Sequence, residues 1–410
     1  MTMQNYLSLM VLSVISSHLF FFKYAEYQIQ LTEILFCLSC FAVLHFQRSF
    51  ITRSYNSVYL PFCILLIIAI INSIYFLEFN VILRNLGLIY LSFLVPVISI
   101  IGIYIGKENF ENSLKVAGHF GFWILNLLAV LGIALYLGFD YSKLVLVYKN
   151  YPYFGDVFRI KGLNYSPNIF ISVYAFFIVM KSTFDSLKWY DILIAFFITI
   201  ASLTKEGLLL AILISAISYN KGIKGKRFFT VLFIGGGILY MLLSQFVVIH
   251  SGLTSTSYAV NSDVTIYIWD KFKVHPTVYY YLFKSGIWIF IHNPLAGVGN
   301  GNFVMELNHL VNSGFYPPQM PRVTPMDSYF GIAAQLGSLF LVYLFSLFQK
   351  IVRILKYLTQ NYTFLPLYYL GLYFMTESLS NGSFYYRHYY VYFAIIITLY
   401  CMQECSMEKN

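Results

Sequence analysis

The feature that most constrains the fold is a succession of long apolar segments separated by short polar ones. An α-helix needs about 20 mostly apolar residues to cross the roughly 30 Å of hydrocarbon in a bilayer. We predict about twelve membrane-spanning helices, at residues 6–22, 29–46, 58–76, 84–106, 116–138, 166–180, 189–204, 206–219, 228–250, 328–348, 363–378 and 387–402. The predicted fold class is therefore all-α, a polytopic integral membrane protein with residues 1–410 forming a single membrane domain.

Composition excludes the soluble alternative. Hydrophobic residues make up 59% of the chain and charged residues only 10%, whereas ordinary soluble domains carry about 25% charged residues. Too few charges remain to cover the surfaces of soluble domains. The net charge of +9 is interpreted as the basic loops of a membrane protein, because no nucleic-acid-binding motif accompanies it. Cys37 and Cys40 lie in an apolar run without partner ligands, which favours two small apolar residues over a metal or redox pair.

The basic residues predict the orientation of the chain. Placing the N-terminus in the cytoplasm puts 14 of the 26 Lys and Arg residues into short cytoplasmic segments, at residues 47–57, 107–115, 181–188, 220–227, 349–362 and 403–410. Such enrichment follows the positive-inside rule. We therefore expect both termini to be cytoplasmic.

The longest polar segments fall on the opposite, external side. They are predicted at 139–165 and 251–327. Within the second, Val274 to Pro294 is apolar and aromatic but is interrupted by polar residues, so we predict an interfacial or re-entrant helix there. A protein that concentrates its polar sequence outside is expected to carry out its chemistry outside.

The first external loop ends in a candidate anion site. Arg159 and Lys161 precede a helix that begins near Pro167 and Asn168. Proline suits the first turn of a helix, and the free N–H groups there favour anions. The pattern fits a phosphate or pyrophosphate site, and the alternative is two cations that extend toward lipid headgroups.

Lys205 and Glu206 form a charged hinge between two short predicted spans. Broken helices whose ends meet often line a polar cavity. The alternative is a turn at which the two charges are exposed or pair with each other.

The large external loop contains three alternating glycines and ends in two charged residues. Gly297, Gly299 and Gly301 permit tight turns and a close approach of the backbone to a ligand. Asp327 lies at the mouth of a predicted span, with Arg322 nearby. An acid at the edge of a membrane is a functional candidate, and an N-cap role for Asp327 remains open beside it.

Other charged residues near spans have simpler explanations. Glu377 and Arg387 flank the last external turn and are predicted either to pair or to contribute to a shared anion site. Structural pairing is predicted for Glu33 and Asp191, and a hydrogen-bonded position inside the bundle for His119. The spacing of the histidines predicts no metal site.

Four stretches of the chain resemble motifs of the bacterial O-antigen polymerase and ligase superfamily, in the same order and topological setting. They are Arg159…Gly162…Pro167-Asn168, which is similar to R-x-x-G…P-N; Thr204-Lys205, where members often have Ser-Arg; Pro294…Gly297-x-Gly299-x-Gly301-x-Phe303, which is similar to P-x-x-G-x-G-x-G-x-F; and Met326-Asp327-Ser328-Tyr329, where ligases have His-Asn-x-Tyr. With the twelve predicted spans and the late external loop, the resemblance covers most of the chain.

Two departures favour a polymerase over a ligase. Met326 replaces the histidine that ligases use near the acceptor, and Gln335 replaces the glutamate of a following E-x-G motif. A ligase that transfers glycan to lipid A–core is the first alternative. A lipid-linked oligosaccharide flippase is the second, although the long external loop and the lack of an internal repeat argue against it.

The resemblance implies glycosyl transfer without metal or cofactor at the periplasmic face of the inner membrane, between two undecaprenyl-pyrophosphate-linked glycans. It implies pyrophosphate contacts by cations, for which we consider Arg159, Lys161, Lys205, Arg322 and Arg387. It implies substrate contacts at Asn168, Gly297, Gly299 and Gly301. Asp327 is the candidate general base. Possible partners besides the substrates and membrane lipid include a chain-length regulator, and none is a nucleic acid.

Overall fold

The computed structural model describes residues 2–15, 20–24, 27–46, 53–138, 147–148, 159–164, 166–219, 223–250, 266–268, 272–318, 320–325 and 327–407. The helices within these ranges are Met3–Leu12 (α1), Leu31–Phe46 (α2), Arg53–Phe76 (α3), Phe79–Ile105 (α4), Lys107–Gly138 (α5), Pro167–Phe184 (α6), Trp189–Ser202 (α7), Glu206–Tyr219 (α8), Ile223–Gln245 (α9), Val278–His292 (α10), Phe303–Asn312 (α11), Phe330–Leu336 (α12), Ser338–Leu358 (α13), Leu365–Glu377 (α14) and Arg387–Met407 (α15).

The strands are short and pair with near neighbours in the chain. They are Phe20–Tyr24 (β1), Tyr27–Gln30 (β2), Val147–Tyr148 (β3), Arg159–Ile160 (β4), Phe246–His250 (β5), Ile266–Ile268 (β6) and Phe272–Pro276 (β7). All pairs are antiparallel, β1 with β2, β3 with β4, and β7 between β5 and β6. The fold is built from helices, as predicted.

Six helical segments of the described chain are long and apolar enough to cross a membrane. They are Val58–Phe76, Phe79–Ile105, Lys107–Ala134, Pro167–Phe184, Gly225–Gln245 and Ser338–Leu358. Shorter apolar helices occupy Met3–Ile15, Leu31–Cys40, Trp189–Ser202 and Glu206–Tyr219. The prediction of an all-α membrane protein is therefore confirmed, while the number twelve stays a prediction.

Three predicted spans are helical over only part of their length or are divided into two helices. The segment predicted at 6–22 is helical only to Ile15, and β1 begins at Phe20. The segment predicted at 228–250 ends at Gln245 and continues as β5. The segment predicted at 328–348 is divided at Gly337, whose φ of +79° lies in a region that residues with a side chain rarely adopt.

Some predicted features lie outside the described residues. These are positions 139–146, 149–158 and 165 of the first external loop, positions 251–265, 269–271 and 319 of the second, residues 220–222 of the basic cluster, and Met326.

A second small core lies beside the main one. Side chains of α10, α11 and the segment after them pack together around Leu282, Phe303 and Tyr316, and the cluster also contains Ala334 of α12. We call the described residues from 278 to 325, which include α10, α11 and the turn between them, the cap. The helix predicted between Val274 and Pro294 is confirmed as a helix by α10.

The main core surrounds α6, which is the most buried of the long helices at 78% of its apolar window. Helices α5, α8 and α14 all pack against it. A helix enclosed on all sides can carry polar side chains only if its neighbours supply hydrogen-bond partners. The polar residues of α6 therefore identify where a buried polar site is assembled.

Candidate functional site

The polar site is built around Glu377, the fully buried last residue of α14. One carboxylate oxygen accepts hydrogen bonds from the hydroxyls of Ser172 and Tyr389, each at 2.7 Å. The other accepts one from the side-chain amide of Asn381 at 3.0 Å. These donors come from α6, from α15 and from the turn between α14 and α15. Because a buried carboxylate is costly without donors, this arrangement fixes three elements around one residue.

Lys205 lies at the break between α7 and α8, next to Leu203 with its φ of +46°. Its ammonium donates to the hydroxyl of Ser244 at 2.9 Å and to the carbonyl of Ser380 at 3.4 Å. It also lies 3.6 Å from the centre of the Tyr279 ring, within the range of a cation–π interaction. Lys205 thus joins α9, α10 and the α14–α15 turn.

Glu206 places a second buried carboxylate beside Glu377. The hydroxyl of Tyr240 donates to Oε1 of Glu206 at 3.1 Å and lies 3.4 Å from the backbone carbonyl of Glu377. Oε2 of Glu206 is buried without a hydrogen-bond partner among the described residues. Lys205 lies within electrostatic range of both carboxyl groups, so the cluster combines acidic and basic side chains.

Arg159 enters the same electrostatic cluster from β4. Its guanidinium donates to Oδ1 of Asn168 at 3.3 Å, and its charge acts on Lys205 and Glu206. Asn168 is the second residue of α6, one turn before Ser172, so both residues occupy one face of that helix. Arg159 and Asn168, which the sequence predicted at the end of the first external loop, are therefore in contact, and Arg159 lies within electrostatic range of Lys205.

Asp327 precedes α12 and is only 3% exposed. Its Oδ1 accepts hydrogen bonds from the backbone N–H groups of Tyr329 at 3.2 Å and Gly331 at 2.9 Å. Oδ2 is buried without a hydrogen-bond partner among the described residues. Burial raises the pKa of Asp327 to about 6. One oxygen thus caps the first turn of α12, and the other is not used by that cap.

Asp327 and two residues that contact Lys205 line one narrow cleft, which is too tight to admit a water molecule. The cleft is lined by Gln245, Tyr279, Phe283, Asp327, Leu379 and Ser380. Lys205 contacts Tyr279 and Ser380, two of these lining residues. Asp327 thus lines the same cleft as two residues that bind the ammonium of Lys205.

Three predicted cations have other surroundings. Lys161 is half-buried after β4, and burial lowers the pKa of its ammonium. Arg322 is exposed on the cap and donates to Oδ1 of Asn308 at 2.7 Å. Arg387 forms an ion pair with Glu33. The predicted pair of Arg387 with Glu377 is thus wrong, since each charge is held by different residues.

The alternating glycines are explained by contacts within the protein. Gly297, Gly299 and Gly301 have φ values of +67°, +93° and +102°. The N–H of Gly299 donates to the carbonyl of Gln335 at 3.1 Å, and that of Gly301 donates to the side-chain oxygen of Gln335 at 2.7 Å. A Cβ on Gly297 would lie 2.4 Å from the carbonyl carbon of Gln335. The close backbone approach predicted for a ligand is used here to join the cap to α12.

The predicted structural pairs are present. Lys181 and Asp191 form an ion pair at 3.4 Å. Nδ1 of His119 lies 3.1 Å from the carboxylate of Asp185, but the His119 side chain is exposed, so its predicted position inside the bundle is wrong. Glu33 forms its ion pair with Arg387.

Sequence reasoning missed the donors around Glu377. Ser172 lies 2.8 Å from Nε2 of the buried His388 as well as bonding to Glu377. The available signal was weak, a serine inside one apolar span and a histidine and tyrosine at the start of another. Nothing in the sequence says that these two helices are neighbours.

Comparison with known proteins does not assign this site to a family. No protein-family model matches the chain, and no curated protein is significantly similar to it. The resemblance to a superfamily therefore depends on the four motifs alone.

Proposed function

We propose that the chain is an O-antigen polymerase, which joins oligosaccharide repeat units carried on undecaprenyl pyrophosphate. The observation that carries the proposal is convergence. Arg159 contacts Asn168 and lies within electrostatic range of Lys205, and Lys205 contacts Tyr279 and Ser380, which line the same cleft as Asp327; the three groups come from three separate motifs. The three motifs lie in separate parts of the chain, and buried ionisable groups that cluster in this way are typical of functional sites.

The proposed reaction needs a leaving group and a base. The acceptor hydroxyl oxygen forms a bond to the anomeric carbon of the donor glycan, and the bond from that carbon to the pyrophosphate oxygen breaks. Arg159 and Lys205 stabilise the negative charge that develops on the leaving pyrophosphate. Oδ2 of Asp327 takes the proton of the acceptor hydroxyl. The donor is already activated, so the reaction requires no nucleotide.

The proposal includes a topology. We propose twelve spans in a bacterial inner membrane, both termini in the cytoplasm, and the cap with the polar site on the periplasmic side. Support comes from the distribution of charge, because basic residues such as Lys226 and Arg227 adjoin the start of α9, whereas Lys205 contacts Ser244 at its opposite end. Cysteines introduced at 255–265 should react with an impermeant reagent added outside, and cysteines introduced at 221–226 should not.

The test of the function is the lipopolysaccharide of a deletion strain. Loss of a polymerase leaves flipping and ligation intact, so we expect lipid A–core that bears a single repeat unit. Loss of a ligase would give bare core with polymer accumulating on the lipid carrier, and loss of a flippase would give bare core without external polymer. Bare core would contradict the proposal. Complementation with the wild-type gene should restore the ladder of polymer lengths.

A further inference from the structure

An exposed apolar corner on the cap has no role in the proposed chemistry. Leu295, in the turn between α10 and α11, is 81% exposed, the highest value for a large apolar side chain in the described part of the chain. Ile291, the second-last residue of α10, is 64% exposed, and Met305 of α11 is 58% exposed. Several large apolar side chains exposed in one short stretch of the chain often mark an interaction surface.

Hydrogen bonds fix the depth of this corner relative to the spans. The carbonyl of Ala296 accepts from the side-chain amide of Asn72 at 3.1 Å, and Asn72 lies one turn before the end of α3. The carbonyl of Pro294 accepts from the N–H of Ser338 at 2.7 Å, and Ser338 is the first residue of α13. Leu295 therefore lies level with the ends of two membrane-spanning helices, about 6 Å inside the end of α3.

The apolar surface continues from the corner along both helices. On α3 the side chains of Ile67, Ile71 and Ile74 are exposed, and on α13 those of Leu339, Val342 and Phe345. These surfaces belong to helices with the length and hydropathy of membrane spans, so their exposed side chains face lipid. The corner is a lateral extension of that lipid-facing surface.

Polar groups border the corner on the side away from the spans. His292 is exposed next to Ile291. Glu78, in the exposed turn between α3 and α4, accepts a hydrogen bond from the side chain of Asn302 at 3.0 Å. An apolar surface with such a border suits the boundary between acyl chains and headgroups. A water-facing corner would expose the apolar side chains without compensation.

We propose that the corner formed by Ile291, Leu295 and Met305 inserts into the leaflet on the side of the cap. The partner is the acyl-chain region of the membrane lipid. The insertion anchors the cap at a fixed depth, and through the bonds of the following glycines to Gln335 it also fixes the depth of α12. The inference does not depend on the proposed reaction, since it uses only the exposed side chains and the position of the spans.

Collisional quenching of tryptophan tests the insertion. The variant Leu295→Trp is reconstituted in vesicles of phosphatidylcholine with brominated acyl chains, and its added emission is measured against the parent, which has four tryptophans. The matched control is Asn312→Trp, because Asn312 is exposed at the far end of α11 in the same cap.

We expect brominated lipid to quench the tryptophan at 295 but not the one at 312, and aqueous iodide to do the reverse. Quenching at 295 by iodide and not by brominated lipid would overturn the proposal, because the corner would then lie in water. Protection at 295 from both quenchers would also overturn it, because protein, such as a second copy of the chain, would then cover the corner.

Discussion

The hydroxyl of Ser328 donates to the backbone carbonyl of Asn381 at 3.0 Å and accepts from the N–H of Phe384 at 3.0 Å. The N–H of Ser328 also donates to the carbonyl of Ser378 at 3.0 Å. The residue after Asp327 is thus fastened to the α14–α15 turn. Because Lys205 bonds to that same turn, one short segment sets the distance between the proposed base and one proposed cation.

Ser328→Ala should lower activity more than a substitution of another buried serine that lowers stability by a similar amount. The change removes two hydrogen bonds and leaves the buried N–H of Phe384 without its acceptor, which costs about 1–3 kcal/mol. Thermal unfolding in detergent measures the stability, and polymer length on lipopolysaccharide gels measures the activity. The control is Ser99→Ala, since Ser99 is also a buried serine that donates to two carbonyls. Equal effects of the two changes on polymer length would show that Ser328 does not position Asp327 for the reaction.

Asp327→Asn should abolish polymerisation while the protein accumulates normally. The amide keeps an oxygen that can accept from Tyr329 and Gly331, but it cannot take a proton at neutral pH. The gel should show a single repeat unit on the core, as in the deletion strain. Retention of the full ladder would leave Asp327 as a helix cap only.

Polymerisation by the wild-type protein should fall as the pH drops through about 6. Burial raises the pKa of Asp327 to about 6, and a general base acts only in its ionised form. Below that pH each further unit lowers the ionised fraction by about tenfold. Initial rates with purified protein and lipid-linked repeat units provide the measurement. An acidic limb near pH 4, typical of an exposed aspartate, would show that another group is the base.

Lys205→Met should eliminate polymer, whereas Lys226→Met should not. The two lysines are closely matched, because Lys226 also donates to a hydroxyl, that of Thr359, and lies over a tyrosine ring, that of Tyr368. Each change therefore removes a hydrogen bond to a hydroxyl and a cation–π contact, and Lys205→Met also removes the hydrogen bond to the carbonyl of Ser380. Gel analysis at equal protein levels separates them. If both variants lose polymer equally, the effect of Lys205 is one of folding.

Gly297→Ala should destabilise the protein by about 2–4 kcal/mol, from its left-handed backbone and from the clash with Gln335. The control is Gly235→Ala in α9, where an added Cβ meets nothing within 4 Å. Thermal unfolding of both purified variants tests the difference. A Gly297→Ala protein as stable as the control would contradict the structural role of this glycine and would favour the predicted role as a substrate contact.

Helix positions could be predicted well because their signal is local. An apolar run is visible in any window of the sequence, and α3, α4 and α8 begin and end within a few residues of their predicted limits, apart from extra turns at the start of α3 and α4. The break at Gly337 was missed because its cause is distant. A Cβ there would lie 2.1 Å from the carbonyl oxygen of Leu295, a contact that the surrounding sequence does not reveal.

The candidate site could be predicted only in part for the same reason. Arg159, Lys205 and Asp327 were found because each is a charge at the edge of an apolar segment. Their assembly into one cluster with Glu377 could not be predicted, because Ser172 and Tyr389 look like ordinary residues of apolar helices. Charge predicts which residues need a partner, whereas packing decides which partner they obtain. Arg387 illustrates this, since Glu33 lies more than three hundred positions away.

The chain leaves α9 and returns to α10 at nearly the same point. The N–H of Thr277 donates to the carbonyl of Gln245 at 2.8 Å, and β5 pairs with β7 directly beyond this bond, from Phe246 opposite Pro276. Residues 246–276 therefore form an insertion between α9 and α10, and hydrogen bonds join its two ends next to the site. Evolution could lengthen, shorten or exchange such an insertion, and an engineer could insert an epitope there, without altering the distance between Ser244 and Tyr279 on either side of Lys205.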